Sequence, residues 1–290
     1  MKFLLIDGTN LLCQMFFGMP ARITGKDGRL IHGAWGFIGA LIRIIKIVGP
    51  THLLVMFDGE HDNPRGEIDG DYKANRPGFA DVPEAENPFS QLPDIYAALD
   101  HMGIIHAETA VCEADDVIAA YAIAYNSAAQ ITISSFDSDF FQLVNDNTTI
   151  LRYRGDKTAL CGEQFILEKF GVSPGRYADF KSLTGDASDN IKGAEKVGVK
   201  TAAALLRQFE CLESVIKRYD EIQNPSVRES IKRNAERLRK NYRLIKLDGK
   251  AGMPFTPDEL KYAYNGAKTA EIIKAAGIIP ATKTFTSSRA

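Results

Sequence analysis

The chain has 290 residues, 45% of them hydrophobic and 25% charged, enough apolar material to bury a sizeable core as one large domain or two smaller ones. No run of about 18 apolar residues reads as a membrane span, residues 2–6 are too short for the apolar part of a secretion signal, and Cys13, Cys112, Cys161 and Cys211 lie far apart with no CxxC pair and no histidine at a metal-ligand spacing, which argues against a zinc site and for a reducing, cytoplasmic setting. The net charge of −2 hides a division: residues 1–190 hold 15 Lys+Arg against 26 Asp+Glu, residues 191–250 hold 15 against 8, and residues 251–290 hold 5 against 3.

The first predicted element is a strand at residues 3–6 that ends in Asp7. Trp35, Ile38, Leu41, Ile42, Ile45 and Val48 then recur at helical spacing over 34–48, and Gly49-Pro50 stops that helix. A second strand, 53–57, ends in Asp58. Residues 59–88 break the pattern with Gly59, Pro64, Gly66, Gly70, Pro77, Gly78, Pro83 and Pro88; a long irregular insertion in a compact domain is usually functional or mobile. Phe89, Leu92, Ile95, Leu99 and Met102 restore a helical stripe. Glu113, Asp115 and Asp116 open a helix over 117–125, more acids than favourable interaction with a helix N-terminus requires. A third strand, 131–133, lies just before Asp137 and Asp139.

From residue 173 onward helices replace strands: 176–183, the turn 185–190, 201–209, 212–219 and the basic stretch 227–247. No repeat of about 20 to 50 residues is evident, and residues 282–290 read as a flexible tail. Strands alternating with helices predict a mostly parallel α/β sheet. Ligands bind outside the carboxyl ends of such strands, so the three strand-end aspartate positions fall on one edge.

Asp7, Asp58, Glu113, Asp115, Asp116, Asp137, Asp139, Asp186 and Asp189 all stand at strand ends or at the starts of turns and helices. That many carboxylates cannot converge without cations, because mutual repulsion raises their pKa values and destabilises the fold. Oxygen-only ligation suits Mg²⁺ or Mn²⁺. Two such ions about 4 Å apart serve in-line attack on a phosphodiester, one activating water and one stabilising the leaving oxygen. No GxGxxG or GxxxxGK[ST] loop follows any strand, which disfavours a nucleotide-binding α/β protein.

The strings LLIDGTN (4–10), VMFDG (55–59), YKANRP (72–77), EADDVIA (113–119), SSFDSDFFQLV (134–144) and GDASDNIKG (185–193) resemble, in order and approximate spacing, the 5′ nuclease family, which includes the N-terminal domain of bacterial DNA polymerase I and stand-alone phage enzymes. The match spans roughly residues 3–210 and fades beyond them, with no polymerase segment following. The resemblance implies a PIN-like nuclease core over 1–172, a helical arch at about 59–88 and a helical DNA-binding subdomain over 173–281. It implies a Mg²⁺-dependent 5′→3′ exonuclease and flap endonuclease using two metal ions, Mn²⁺ substituting, that leaves 5′-phosphorylated products in DNA replication or repair.

Carried onto this chain, the resemblance implies one metal near Asp7, Asp58, Glu113, Asp115, Asp116 and Asp137, and a second near Asp139, Asp186 and Asp189, with Asp137 shared. Lys73 and Arg76, one helical turn apart, would point into the arch and act on the scissile phosphate together with the Asp58 and Asp137 carboxylates. Arg65 would assist, and Tyr72 either stacks on a base or simply packs. Residues 185–202 resemble a helix-three-turn-helix element, whose backbone N–H groups hold duplex phosphates. There Gly193, Gly198, Lys200 and Thr201 match, and the family commonly holds K⁺ in this loop. Lys196 stands where a glycine is usual and offers its own phosphate contact; Ser138 replaces a common lysine, and Lys192 a frequent proline. This element gives the basic back of the chain a partner beyond solvent.

The substrate implied is DNA with a free 5′ end, in a flap, nick, gap or branched duplex, cut by a monomer in the cytoplasm of a bacterium or a phage-infected cell. An RNA–DNA hybrid is also compatible, since recognition is of backbone and shape. Two alternatives predict different sequences. A PIN-type ribonuclease would have fewer acids and no helix-three-turn-helix region, and a non-catalytic branched-DNA-binding module would have lost acids that are all present.

Overall fold

A computed structural model describes residues 1–59, 64–76, 78–79, 82–279 and 281. Its centre is a six-stranded sheet: β1 (Lys2–Asp7), β2 (His52–Phe57), β3 (Ile105–Glu108), β4 (Gln130–Ser134), β5 (Thr148–Arg152) and β6 (Ala159–Cys161), in the order β3-β2-β1-β4-β5-β6. All neighbours are parallel except β5 and β6. Strand side chains alternate between faces. Phe3, Leu5, Leu54, Met56, Ile131 and Ile133 enter one buried cluster, and Leu4, Ile6, Leu53, Val55 and Phe57 the other. Both faces are covered, which is why these strands read as continuous apolar runs.

Helix α1 (Gly8–Gly18) follows β1, and α2 (His32–Val48) and α4 (Leu92–His101) join it on one face, while α5 (Ala114–Tyr125) covers the other. Full burial of each large aliphatic side chain contributes about 1.5–3 kcal/mol. In register, Asp7 sits beside Met56 and Ile6 beside Ser134. The ends of the three central strands are therefore level, and the segments carrying Asp58 and Asp137 leave the sheet next to Asp7.

Beyond α6 (Glu163–Phe170), helices α7 (Tyr177–Thr184), α8 (Val199–Phe209), α9 (Leu212–Lys217) and α10 (Pro225–Ile245) pack together. Asp179 caps α9 by accepting from Leu212 N at 2.8 Å, and Asn224 caps α10 by accepting from Ser226 N at 3.0 Å. Asn241 Nδ2 ties α10 to the carbonyls of Ser182 at 3.1 Å and Lys192 at 2.9 Å. The buried cluster under β1, β2 and β4 runs on into these helices through Phe180, Leu206 and Leu238.

Three sequence expectations change. The sheet has three strands beyond those predicted, because β3 (IHAE) is a half-buried edge strand and β6 has only three residues, too little pattern to read. The arch expected at about 59–88 is, among the described residues, helical only in short pieces. It contributes α3 (Pro64–Ile68) and then a turn through residues 70–75, as its glycines and prolines dictate; residues 60–63, 77, 80 and 81 lie outside the described ones. Residues 260–279, expected within the helical subdomain, instead return to the α/β layer. Leu53 N donates to Leu260 O and Tyr262 N to Thr51 O, both at 2.9 Å, and α11 (Thr269–Ala275) buries Ile272 and Ile273 against the α2 and α4 side. The expected tail, 282–290, lies outside the described residues. Among those described, no helix is long and apolar enough to cross a membrane.

Candidate active site

The strand ends are stitched together by the polar residues that follow them. Asp7 caps α1 by accepting from Asn10 N at 3.0 Å, and its other oxygen accepts from Ser135 Oγ at 2.7 Å. Thr9 Oγ1 accepts from Asp58 N at 2.8 Å, and Asn10 Oδ1 from Phe136 N at 3.0 Å. Asp58 Oδ1 accepts from Ala114 N at 2.8 Å, tying β2 to the start of α5. Asp137 Oδ1 accepts from Asp139 N at 2.8 Å. These bonds fix three carboxylates at one rim, and Thr9, Asn10 and Ser135 were not singled out from the sequence.

A cavity of about 230 Å³ opens there, lined by Asp7, Thr9, Asn10, Cys13, Asp58, Lys73, Arg76, Glu113, Ala114, Asp115 and Asp137. Five of the acids expected around the first metal share it. The sixth, Asp116, is not among the lining residues and accepts from Arg65 at 2.7 Å. Burial, then the neighbouring Asp58, pushes the Asp7 carboxyl up to about 7. Burial likewise raises Asp115 well above the ordinary range against the pull of Arg65. Cys13 is pushed up to about 11 by burial and by Asp7, so its thiol stays protonated and offers no thiolate nucleophile.

The remaining acids form a second group. Asp139, Asp186 and Asp189 each offer an oxygen, and all three oxygens lie within 4.8 Å of one another. Asp139 follows β4, whereas Asp186 and Asp189 come from a hairpin of β7 (Gly185–Asp186) and β8 (Ile191–Lys192). The two strands approach so closely that a Cβ on Gly193 would land on the Thr184 carbonyl, and Gly185 at φ 81° faces Gly193 N. Glycine is required at both positions.

Lys181, missed in the sequence, inserts its ammonium here. It is 5% exposed, contacts Asp139 and Asp186, and lies 3.3 Å from Ser138 Oγ. Burial holds the Asp139 carboxyl up to about 7 even beside this lysine. Asp186 is also partly buried, yet Lys181 and Ser188 hold it below its usual range. A lysine inside a helix normally reads as a solvated residue, so only the run of buried neighbours along α7 reveals it.

The insertion supplies the other cations. Arg65 on α3 is 8% exposed and bridges Glu113, Asp115 and Asp116; it neutralises these acids from within. Lys73 pairs with Glu113 and Arg76 with Asp189. Tyr72 Oη donates to Glu113 at 3.2 Å, while its ring packs against the group formed by Ala178, Ile191, Leu244 and Ile245. Lys73 and Arg76 do not sit one turn apart on a helix as expected. Lys73 lies at φ 57° in the turn, its N–H bonded to Asp189 O at 3.0 Å, so both side chains fold onto the acids.

On the helical side, Gly198 is the N-cap of α8, whose first turn holds Lys200 and Thr201 and no acid. Lys196 is exposed at φ 67°, which explains why glycine suits that position. Arg233 and Arg237 on α10 hold Glu195 of the same turn.

The site fits divalent cations. Its donors are all hard oxygens, two of its carboxyls are pushed to about 7 by burial and crowding, and one group is already drawn together around a lysine.

Comparison with known proteins adds an independent line. A family model described as 5′-3′ exonuclease, N-terminal resolvase-like domain, matches residues 2–171, and one described as 5′-3′ exonuclease, C-terminal SAM fold, matches residues 172–268. A 5′-3′ exonuclease of Aquifex aeolicus is 32% identical over 259 residues, covering 89% of this chain and 85% of its own length. A thermostable DNA polymerase I of Thermus thermophilus is 33% identical over 247 residues, covering 85% of this chain but only 28% of the polymerase. The T5 D15 protein crystallised with metal ions superposes with a TM-score of 0.70 at 22% identity, over 85% of this chain and 90% of that one. The bacteriophage T5 D15 flap endonuclease in a pseudo-enzyme-product complex with DNA and metal ions gives 0.72 at 20% identity, over 96% and 100%. At these identities the two structures speak to the fold: a resolvase-like layer followed by a helical SAM-like unit.

Proposed function

This chain belongs to the 5′-3′ exonuclease family, and from that premise we propose that it hydrolyses DNA phosphodiester bonds near a free 5′ end, acting on flaps, nicks and gaps and leaving 5′-phosphorylated products. The observation that carries the reading is the meeting of Asp7, Asp58, Glu113, Asp115 and Asp137, from four distant stretches of chain, in one cavity beside the Asp139, Asp186 and Asp189 group. Two Mg²⁺ ions held by these groups would supply an activated water and neutralise the leaving oxygen. The protein itself then needs to orient and to neutralise.

Lys73 and Arg76, which line the same cavity, would contact the scissile phosphate, with Arg65 and Tyr72 holding neighbouring acids. Gly193 and Lys196 in the turn before α8, with Gly198, Lys200 and Thr201 at its start, would hold the phosphates of the duplex arm. A division of labour near residue 172, a K⁺ ion in the turn before α8, action as a monomer, tolerance of an RNA–DNA hybrid and a role in replication or repair belong to the same proposal.

The test incubates labelled 5′-flap, nicked, gapped and single-stranded DNA with the protein in Mg²⁺ or EDTA, beside an Asp137→Ala variant. Cleavage at branched 5′ ends in Mg²⁺ alone, absent from the variant, supports the reading. A well-folded protein that leaves every such substrate uncut in Mg²⁺ refutes it.

A further inference from the structure

The two acidic groups are neutralised differently. Among the described residues, Asp7, Asp58 and Asp137 form no ion pair; their partners are the backbone N–H groups of Asn10, Ala114 and Asp139 and the Ser135 hydroxyl. Asp139 and Asp186 share the buried ammonium of Lys181, and Asp189 pairs with Arg76. Three carboxylates in the first group thus have no ion-pair partner among the described residues, while Arg65 and Lys73 hold Glu113, Asp115 and Asp116 beside them; in the second group two cations pair with all three.

We infer that Lys181 is a resident counter-ion that competes with a divalent ion for Asp139 and Asp186, so that the second group binds its metal more weakly than the first until substrate arrives. This rests on the proposal that both groups hold metal. A dication entering the first group relieves repulsion. One entering the second must share two carboxylates with an ammonium that is 5% exposed and, among the described residues, has Ser138 Oγ as its one further hydrogen-bond partner. A buried charge deprived of its partner is strongly unfavourable. A DNA phosphate at the site supplies the negative charge that lets ammonium and dication coexist, so Lys181 couples metal occupancy to substrate. It is a positioning residue, acting through the acids.

The experiment counts Mn²⁺ bound to the DNA-free protein by electron paramagnetic resonance of the free ion, for the parent, Lys181→Met, Lys181→Arg and Asp186→Asn, with thermal melts in EDTA and in Mn²⁺. The parent should show one tight ion and a second at least about tenfold weaker, a gap of about 1.4 kcal/mol or more. Lys181→Met should tighten the second ion about tenfold and depend on Mn²⁺ for its melting temperature, Lys181→Arg should behave like the parent, and Asp186→Asn should lose the weaker ion only. Two ions of equal affinity in the parent, or the same isotherm for the parent and a folded Lys181→Met, would overturn the inference. No bound Mn²⁺ in any protein would instead overturn the metal reading beneath it.

Discussion

Lys196 offers a test in which stability and binding move in opposite directions. At φ 67° its Cβ costs about 1–2 kcal/mol relative to the right-handed conformation. Glycine avoids that strain but loses roughly 0.5–1 kcal/mol more chain entropy on folding. Because the Lys196 side chain is exposed and makes no ion pair among the described residues, nothing else offsets the gain. Lys196→Gly should therefore stabilise the fold by a net of about 0.5–1 kcal/mol, raising Tm by about 1–3 °C in a chain of this size. The variant also removes a cation from the turn before α8. If that ammonium meets a DNA phosphate, the slope of log affinity against log salt becomes shallower by about 0.9, and affinity at moderate salt falls several-fold. Calorimetry reads the first effect, and anisotropy titrations of a labelled nicked duplex in EDTA across a salt series read the second. A lower Tm would refute the strain, and an unchanged slope would refute the phosphate contact. Lys196→Asn, which tolerates the left-handed region and lacks the charge, should match glycine in slope while gaining less stability.

Lys73→Ala should slow cleavage of a flap by about 10²–10³-fold, the range for losing one preorganised donor at a developing charge, and weaken duplex binding far less; equal losses in single-turnover rate and in affinity would argue that Lys73 only binds DNA. Neutralising Lys200 should leave turnover of bound substrate intact and flatten the salt dependence of binding by about 0.9, read from the same titrations. Gly193→Ala places a Cβ on the Thr184 carbonyl and should cost about 1–3 kcal/mol in chemical denaturation, with Mn²⁺ binding by Asp186 and Asp189 weakened; a variant as stable as the parent would contradict the close approach. Asp7 and Asp139, raised to about 7, are partly protonated near neutrality, and a metal must displace those protons. Mg²⁺ binding at pH about 6.5 should therefore release protons and at pH about 8.5 should not, as calorimetry in buffers of different ionisation enthalpy detects; release independent of pH would mean those carboxyls are not raised.

The layout of the sheet was legible because each central strand is a continuous apolar run broken by an aspartate, and parallel strands bring their ends to one edge. Residues whose meaning depends on a partner far along the chain were not legible. Lys181 reads as a surface lysine until the hairpin that follows α7 folds back over it. Arg65 was expected to face DNA, and only the tertiary placement of α3, which meets α10 and packs Ile68 beside Leu244 and Ile245, brings its guanidinium to three acids at the start of α5. The helical spacing given to Lys73 and Arg76 failed because α3 ends at Ile68 and the turn that follows holds Lys73 in the left-handed region, so their approach to the acids is set by tertiary contact rather than by period. Residues 260–279 carry little pattern of their own, and their place follows from the part of β2 that β3 leaves uncovered.

That return of the chain to β2 changes what the helical unit can do. It leaves the α/β layer after α6 and is fastened back to it by residues 260–262 and α11, like a bag closed by a clasp as well as a hinge. A unit that already shares a buried cluster with the layer and is also tied at its far end resists swinging. The Asp139 carboxylate, on the layer, and Asp186 and Asp189, on the unit, are held in line by the shared buried cluster and by Lys181, and the seam against β2 adds an anchor that touches none of them, so cutting the chain near residue 259 would remove that anchor while sparing every acid.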